Sequence, residues 1–229
     1  SRVSAEDARR ILSSALSTGI PAPSEVTPLL RPTPTVAPTP PPKDQSERES
    51  ELISNLVKAS KTPAKVRMEN GIARTVRATL PVPASAGDKP EDKARAILEE
   101  YRGLYGLGNV KAELAVTDVV RTNEGKEIVS FQRMAGNVPI FASSVVVHIS
   151  PGNAVTYIGA GLPSRVDVAA EPRLSKEEAV LRARNAAQVG DAAQALDTGL
   201  VVFNEGIITG ESTRSVLTWM VTLDISDPP

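Results

Sequence analysis

The chain contains no cysteine and a single histidine, His148, in 229 residues. The first absence excludes disulfides, thiolate metal sites and cysteine nucleophiles together. The second excludes a zinc centre built on paired histidines, because such a centre needs three protein ligands and no HExxH run occurs. His148 reads as a strand residue on the same side as Val146. Aromatic residues make up only 3% of the chain, so the core has to be built from Val, Leu, Ile and Ala, with Phe131, Phe141, Phe203, Tyr101, Tyr105, Tyr157 and Trp219 as isolated large fillers. An excess of charge of one sign is also missing. With 26 basic and 27 acidic residues the net charge is −1, and no whole-molecule field draws the chain to nucleic acid or to a membrane surface. No apolar run approaches the roughly 18 residues that span a bilayer. The N-terminus lacks a charged-then-apolar signal, so an exported form is expected to have lost it.

Catalytic constellations are equally scarce. There is no GxSxG, GxGxxG or GxxxxGK[ST], which leaves nucleophile elbows and phosphate cradles unsupported. The adjacent carboxylates Glu91 and Asp92, Glu99 and Glu100, and Glu177 and Glu178 diverge by about 100° on a helix and cannot converge on one substrate atom. Arg67, Arg74 and Arg77 lie in or beside one hairpin and read as solvated arginines, because nucleic-acid binding would want interleaved aromatics. The expectation is a chain with no enzymatic activity, no cofactor and no metal.

What is present is alternation and punctuation. At 229 residues with 41% apolar content, the chain is sized for two small domains. Ser4-Ala-Glu-Asp opens an amphipathic segment closed by Gly19 and Pro21, which makes residues 1–20 a short helix. Residues 21–45 carry repeated Pro-Thr-Pro and form a semi-rigid spacer. Ser46 with Glu49 reads as a capping box opening a helix with an apolar stripe of Leu52, Ile53, Leu56 and Val57. Asn70-Gly71, between residues 66–68 and 72–80, is the strongest short hairpin signal. Pro90, Glu91 and Asp92 suit a helix start, and Ala94, Ile97, Leu98, Tyr101, Leu104 and Tyr105 recur at three and four until Gly106 and Gly108. Residues 114–122 and 126–134 form a hairpin turned at Asn123-Glu-Gly125.

The most informative stretch is 128–163. Residues 128–134 alternate with a period of two; Asn137-Val-Pro-Ile interrupts them. Residues 145–149 are nearly all β-branched, and Ser150-Pro-Gly-Asn turns the chain back antiparallel through 154–158. Beyond Pro163, Ser175-Lys-Glu-Glu178 is a second capping box, opening a helix with a small-residue face of Ala179, Ala183, Ala186 and Ala187. Residues 199–203 and 215–223 then read as strands packed on it.

Phe131-Gln132-Arg133, Asn137-Val138-Pro139-Ile140-Phe141-Ala142-Ser143, Val145-Val146-Val147-His148-Ile149, Gly152 and residues 159–163 together resemble the propeptide module of thermolysin-like and fungalysin-like metallopeptidases, the FTP domain. Its motifs run "hxRFQQ", "GVPVFGS", "VVVHV" and "xxGxLP". Arg133 stands where a second glutamine is common, and Asn137 and Ala142 where glycines are. Tyr101-Arg-Gly-Leu-Tyr-Gly-Leu likewise resembles the end of the family's long helix. The order LSKEEA, LVV and LTWMV resembles the PepSY module that follows FTP in such proregions, although its last strand there continues to a "VDAxTG" turn.

The resemblance implies an α+β fold: an antiparallel meander packed on a long helix in cystatin-like layers, then a smaller PepSY-like α+β unit. Residues 46–163 would be the first domain and 164–229 the second, expected to be cut short. It further implies a secreted proregion that inhibits and assists the folding of a metallopeptidase catalytic domain, in cis or in trans, which is absent from this sequence. An exposed loop around Asn137, Val138, Pro139 and Phe141 is the expected contact. The alternative is a free-standing binding or adhesion module of a secreted or cell-surface protein, which the proline-threonine spacer would suit.

Overall fold

The fold is built on a strand meander whose turns the sequence marks plainly. In the computed structural model, residues 43–163, 166–168, 171–189, 193–206 and 214–224 are described. The expected helix within residues 1–20 and most of the proline-threonine spacer lie outside them.

Strands β1 (Lys65–Glu69) and β2 (Ile72–Pro81) form a hairpin about Asn70 and Gly71, whose φ values of 54° and 72° are the left-handed pair that a type I′ turn requires. Strands β3 (Leu114–Arg121), β4 (Glu127–Ala135), β5 (Val138–Ile149) and β6 (Ala154–Gly161) follow, and all pair antiparallel in the order β1-β2-β6-β5-β4-β3. In the expected turn at Ser150-Pro-Gly-Asn between β5 and β6, the left-handed residue is Asn153, with φ 56°. Asparagine tolerates that region better than most residues, because its short polar side chain bonds locally.

Helix α1 (Lys43–Ala59) begins three residues before Ser46. The Ser46-x-x-Glu49 pattern therefore sits inside the helix and does not cap it. The Ser46 carbonyl instead accepts a hydrogen bond from the Ser50 hydroxyl at 2.9 Å, an ordinary intrahelical contact. Helix α2 (Pro90–Glu100) starts on its proline with Glu91 and Asp92 in the first turn, as expected, but ends at Glu100. A 3₁₀ turn (Arg102–Tyr105) carries the rest of the apolar stripe and stops at Gly106, with φ 60°. Gly103 inside this turn lets α1 approach closely: a Cβ there would lie 2.7 Å from Leu52 Cδ1 of α1, and that methyl would have to move aside. A short helix, α3 (Val110–Glu113), is capped by the Asn109 side chain and leads into β3.

One apolar cluster joins Leu56 of α1, Ala94, Ile97 and Leu98 of α2, and Leu104 and Tyr105 of the 3₁₀ turn to Val76, Leu80, Val129, Phe131, Val147 and Ile158 of the sheet. Buried area of this kind is the main stabilising term, at about 25 cal/mol per Å². Arg95 locks the helix to the edge of the sheet, donating to the carbonyls of Val110 (3.2 Å) and Leu114 (2.9 Å) while its guanidinium lies 5.1 Å from the centroid of the Phe131 ring.

Helix α4 (Lys176–Ala187) opens with the expected capping box, in which Ser175 Oγ accepts from the Glu178 amide and the Glu178 carboxylate accepts from the Ser175 amide. Of its alanine face, Ala179 is buried and Ala183 half-buried, whereas Ala186 and Ala187 are exposed. The alanine face therefore packs only as far as Ala183. Strands β7 (Ala195–Asn204) and β8 (Ser215–Leu223) form an antiparallel hairpin joined to β5 by one parallel bridge, Ile140 to Val202. The whole is a mixed α+β structure with an eight-stranded sheet and four α-helices among the described residues.

Candidate docking surface at the tip of strands β4 and β5

The region expected to be a loop is a strand with a bulge. Gly136 (φ 60°) and Asn137 make a tight turn, Met134 pairs with Pro139, and Ala135 pairs with Val138. The register then jumps, because Gln132 pairs with Ser144. The single residue Arg133 thus stands opposite residues 140–143. Such an insertion bends the strand and re-aims its side chains.

Gln132 closes the bulge. Its amide Nε2 donates to the carbonyls of Ile140 (2.6 Å), Ser143 (2.9 Å) and its neighbour Arg133 (3.0 Å). Carbonyls displaced from a ladder otherwise stay unsatisfied, at a cost of about 1–3 kcal/mol each when buried. Arg133 points the other way, into the protein, and is only 5% exposed. Its Nη1 donates to Pro163 O (2.9 Å), and Nη2 to Gly106 O (3.1 Å) and to Glu113 Oε2 (3.2 Å). It thereby ties the end of β6 and the close of the 3₁₀ turn to the bulge. Burial pulls its guanidinium below its ordinary value, and the Glu113 carboxylate opposes that pull.

The bulge presents Phe141 outward. That ring is 40% exposed and its centroid lies 6.0 Å from that of Phe203 on β7, with the planes tilted by 42°. Phe203 in turn pairs with Val216 of β8, which is 45% exposed. Because residues paired across a sheet share a face, Phe141, Phe203 and Val216 form an apolar row over three strands. Ala142 follows with φ 55°, and it is exposed. Of the four expected contact residues, Asn137 is exposed in the turn, Val138 and Pro139 are half-buried at the start of β5, and Phe141 is the most outward of the three strand residues.

Other singled-out residues are not brought into a site. The His148 ring lies tilted against that of Tyr157, with centroids 4.9 Å apart, and burial, with Lys126 nearby, lowers its pKa. Arg67 pairs with Glu69, Arg74 donates to Leu162 O at 2.7 Å, and Arg77 is exposed. Among the described residues no group of three His, Asp or Glu side chains converges as metal ligands. No described helix is long and apolar enough to cross a membrane.

Every element of the bulge lies between α3 and β6. The family model of the Fungalysin/Thermolysin Propeptide Motif matches residues 112–160. The match runs from the end of α3 through β3, β4 and β5 and most of β6, so it contains Gln132, Arg133 and the projecting Phe141. It indicates a propeptide segment of the kind that accompanies fungalysin- and thermolysin-type peptidases, and the motif is a propeptide motif and not a catalytic domain. No curated protein matches the chain. The Phe-Gln-Arg run can now be read physically: one residue fills the core, one holds the bulge and one anchors its back. Gln132 and Arg133 were not among the expected contact residues, and neither was Phe203. A glutamine flanked by a core aromatic, beside a strand interrupted by Val-Pro, is the signal that marks the first.

Proposed function

We propose that this chain is the proregion of a secreted thermolysin-like metallopeptidase, acting as inhibitor and folding assistant of the catalytic domain, with residues 46–163 as the FTP-like body and 164–229 as a PepSY-like unit. The match of the propeptide motif over residues 112–160 is the observation that carries this reading. A preformed body that binds the folded peptidase better than its unfolded chain stabilises the folded form by linkage. About 800 Å² per partner suffices for a specific interface. The apolar row of Phe141, Phe203 and Val216, with Asn137, Val138 and Pro139 at its end, is the contact we assign, since aromatic residues exposed on a rigid support are the usual anchors of such interfaces.

The test adds the purified chain to the peptidase encoded in frame with it or beside it, during turnover and during refolding from denaturant. The chain should slow hydrolysis and raise the refolded yield, and Phe141→Asp should lose both effects while keeping its far-UV dichroism. No effect of the wild-type chain on either measurement would remove the proregion reading. A fully active Phe141→Asp chain would remove only the contact assignment.

A further inference from the structure

Strand β8 pairs with β7 alone among the described strands, so its second edge is free of any of them. Against that edge lies a groove of about 720 Å³, walled by α4 on one side and by residues 171–174 on another. Its floor includes five consecutive residues of β8, Ser215 through Trp219. Successive strand residues point to opposite faces. A groove that touches both sets, and no residue of β7, lies toward the strand's free edge, where the backbone is within reach. Trp219 is fixed there, its indole N–H donating to Leu174 O at 3.0 Å.

The rim is cationic. Arg173, Arg182 and Arg214 line the groove against one carboxylate, Glu171, and none of the three arginines makes an ion pair within 4.0 Å among the described residues. We propose that this groove binds an extended peptide segment that adds to the free edge of β8, with alternating apolar and acidic side chains: the apolar ones on Leu217, Trp219 and Ala179, the acidic ones on the three arginines. Main-chain hydrogen bonds to a strand edge supply affinity, and side-chain pockets at every second residue supply selectivity. Three arginine forks around the groove favour carboxylates. This assignment does not depend on the proregion reading, because the probe is a synthetic peptide.

Trp219 is the only tryptophan in the chain, so its fluorescence reports the groove directly. The full chain is titrated with acetyl-Leu-Asp-Leu-Asp-Leu-Asp-amide, with calorimetry as a second readout that does not rely on the indole. Saturable binding is expected. It should weaken by about tenfold or more when Lys replaces each Asp, and by a similar factor in the Arg173→Gln, Arg182→Gln, Arg214→Gln triple variant. N-methylation of alternate peptide amides should abolish it, because strand addition needs those donors. Absence of binding to millimolar peptide by both readouts overturns the proposal, as does equal affinity for the Lys peptide or for the N-methylated one. Should the triple variant lose its folded dichroism, the single exchange Arg182→Glu, on the exposed surface of α4, makes the same comparison.

Discussion

The meander of β1 to β6 and the hairpin of β7 and β8 belong to one sheet, yet they are held by different means. The meander closes over a continuous cluster that takes residues from four helical segments and five strands. The hairpin, with α4, contributes only Ala179, Val201 and Val202 to the buried apolar set among the described residues. Its tie to the meander is the bridge of Ile140 to Val202, with the Phe141 and Phe203 rings beside it. One region is stable through its own core. The other depends on a seam, and the seam is the bulge that Gln132 closes. A surface meant to meet a partner can sit at such a seam, because side chains there are positioned by a rigid body without being consumed by its core.

The sharpest way to break the comparison is to empty the meander's core. Phe131 is fully buried at the centre of the cluster and beneath the Arg95 guanidinium. Phe131→Ala should cost about 3–5 kcal/mol, measured by urea unfolding, since it leaves a cavity that a β-sheet cannot readily collapse. Loss should appear in both regions at once. If the hairpin's probes, chiefly Trp219 fluorescence, kept their midpoint, the hairpin would be independent of the meander.

The converse change is expected to be smaller and local. Val202 is fully buried at the bridge. Val202→Ser places a hydroxyl there and should cost about 1–3 kcal/mol. Hydrogen exchange is the suitable readout: amides of residues 195–223 should lose protection while those of residues 128–158 keep theirs. Equal loss in both would show a single cooperative unit and erase the distinction.

Much of the meander was legible from residue order, because its information is local. The alternation of residues 128–134 places Val129, Phe131 and Arg133 inward, as a period of two demands, and Asn70-Gly71 announces its turn in two letters. The six-residue stripe from Ala94 to Tyr105 is buried throughout, although the helix tightens to a 3₁₀ turn partway along. The start of α1 was misplaced, because Ser-x-x-Glu has the same spelling inside a helix as at its cap. At the candidate surface, Phe141 was legible as an exposed aromatic beside Val-Pro. Phe203 was not, because its meeting with Phe141 depends on a parallel bridge between strands sixty residues apart. The Gln132 bonds belong to the same class: no local pattern states that one side chain will satisfy carbonyls eight and eleven residues away.

The bulge supplies the finest test of the seam, through two exchanges of opposite sign. Gln132→Leu removes the donor to the Ile140 and Ser143 carbonyls and should cost about 1–3 kcal/mol, with Phe141 losing its fixed direction. Ala142→Gly acts the other way. Ala142 holds φ 55°, where its Cβ meets the following carbonyl at a cost of about 1–2 kcal/mol. Glycine removes that strain but gives the unfolded chain about 0.5–1 kcal/mol of extra entropy to lose. The difference leaves a net gain of about 0.5 kcal/mol, readable as a small rise in the urea midpoint with an unchanged slope. A fall in the midpoint would mean that the bulge relaxes in solution and that alanine is not strained there. The row of Phe141, Phe203 and Val216 would then lack the rigid support on which its proposed role as an anchor rests.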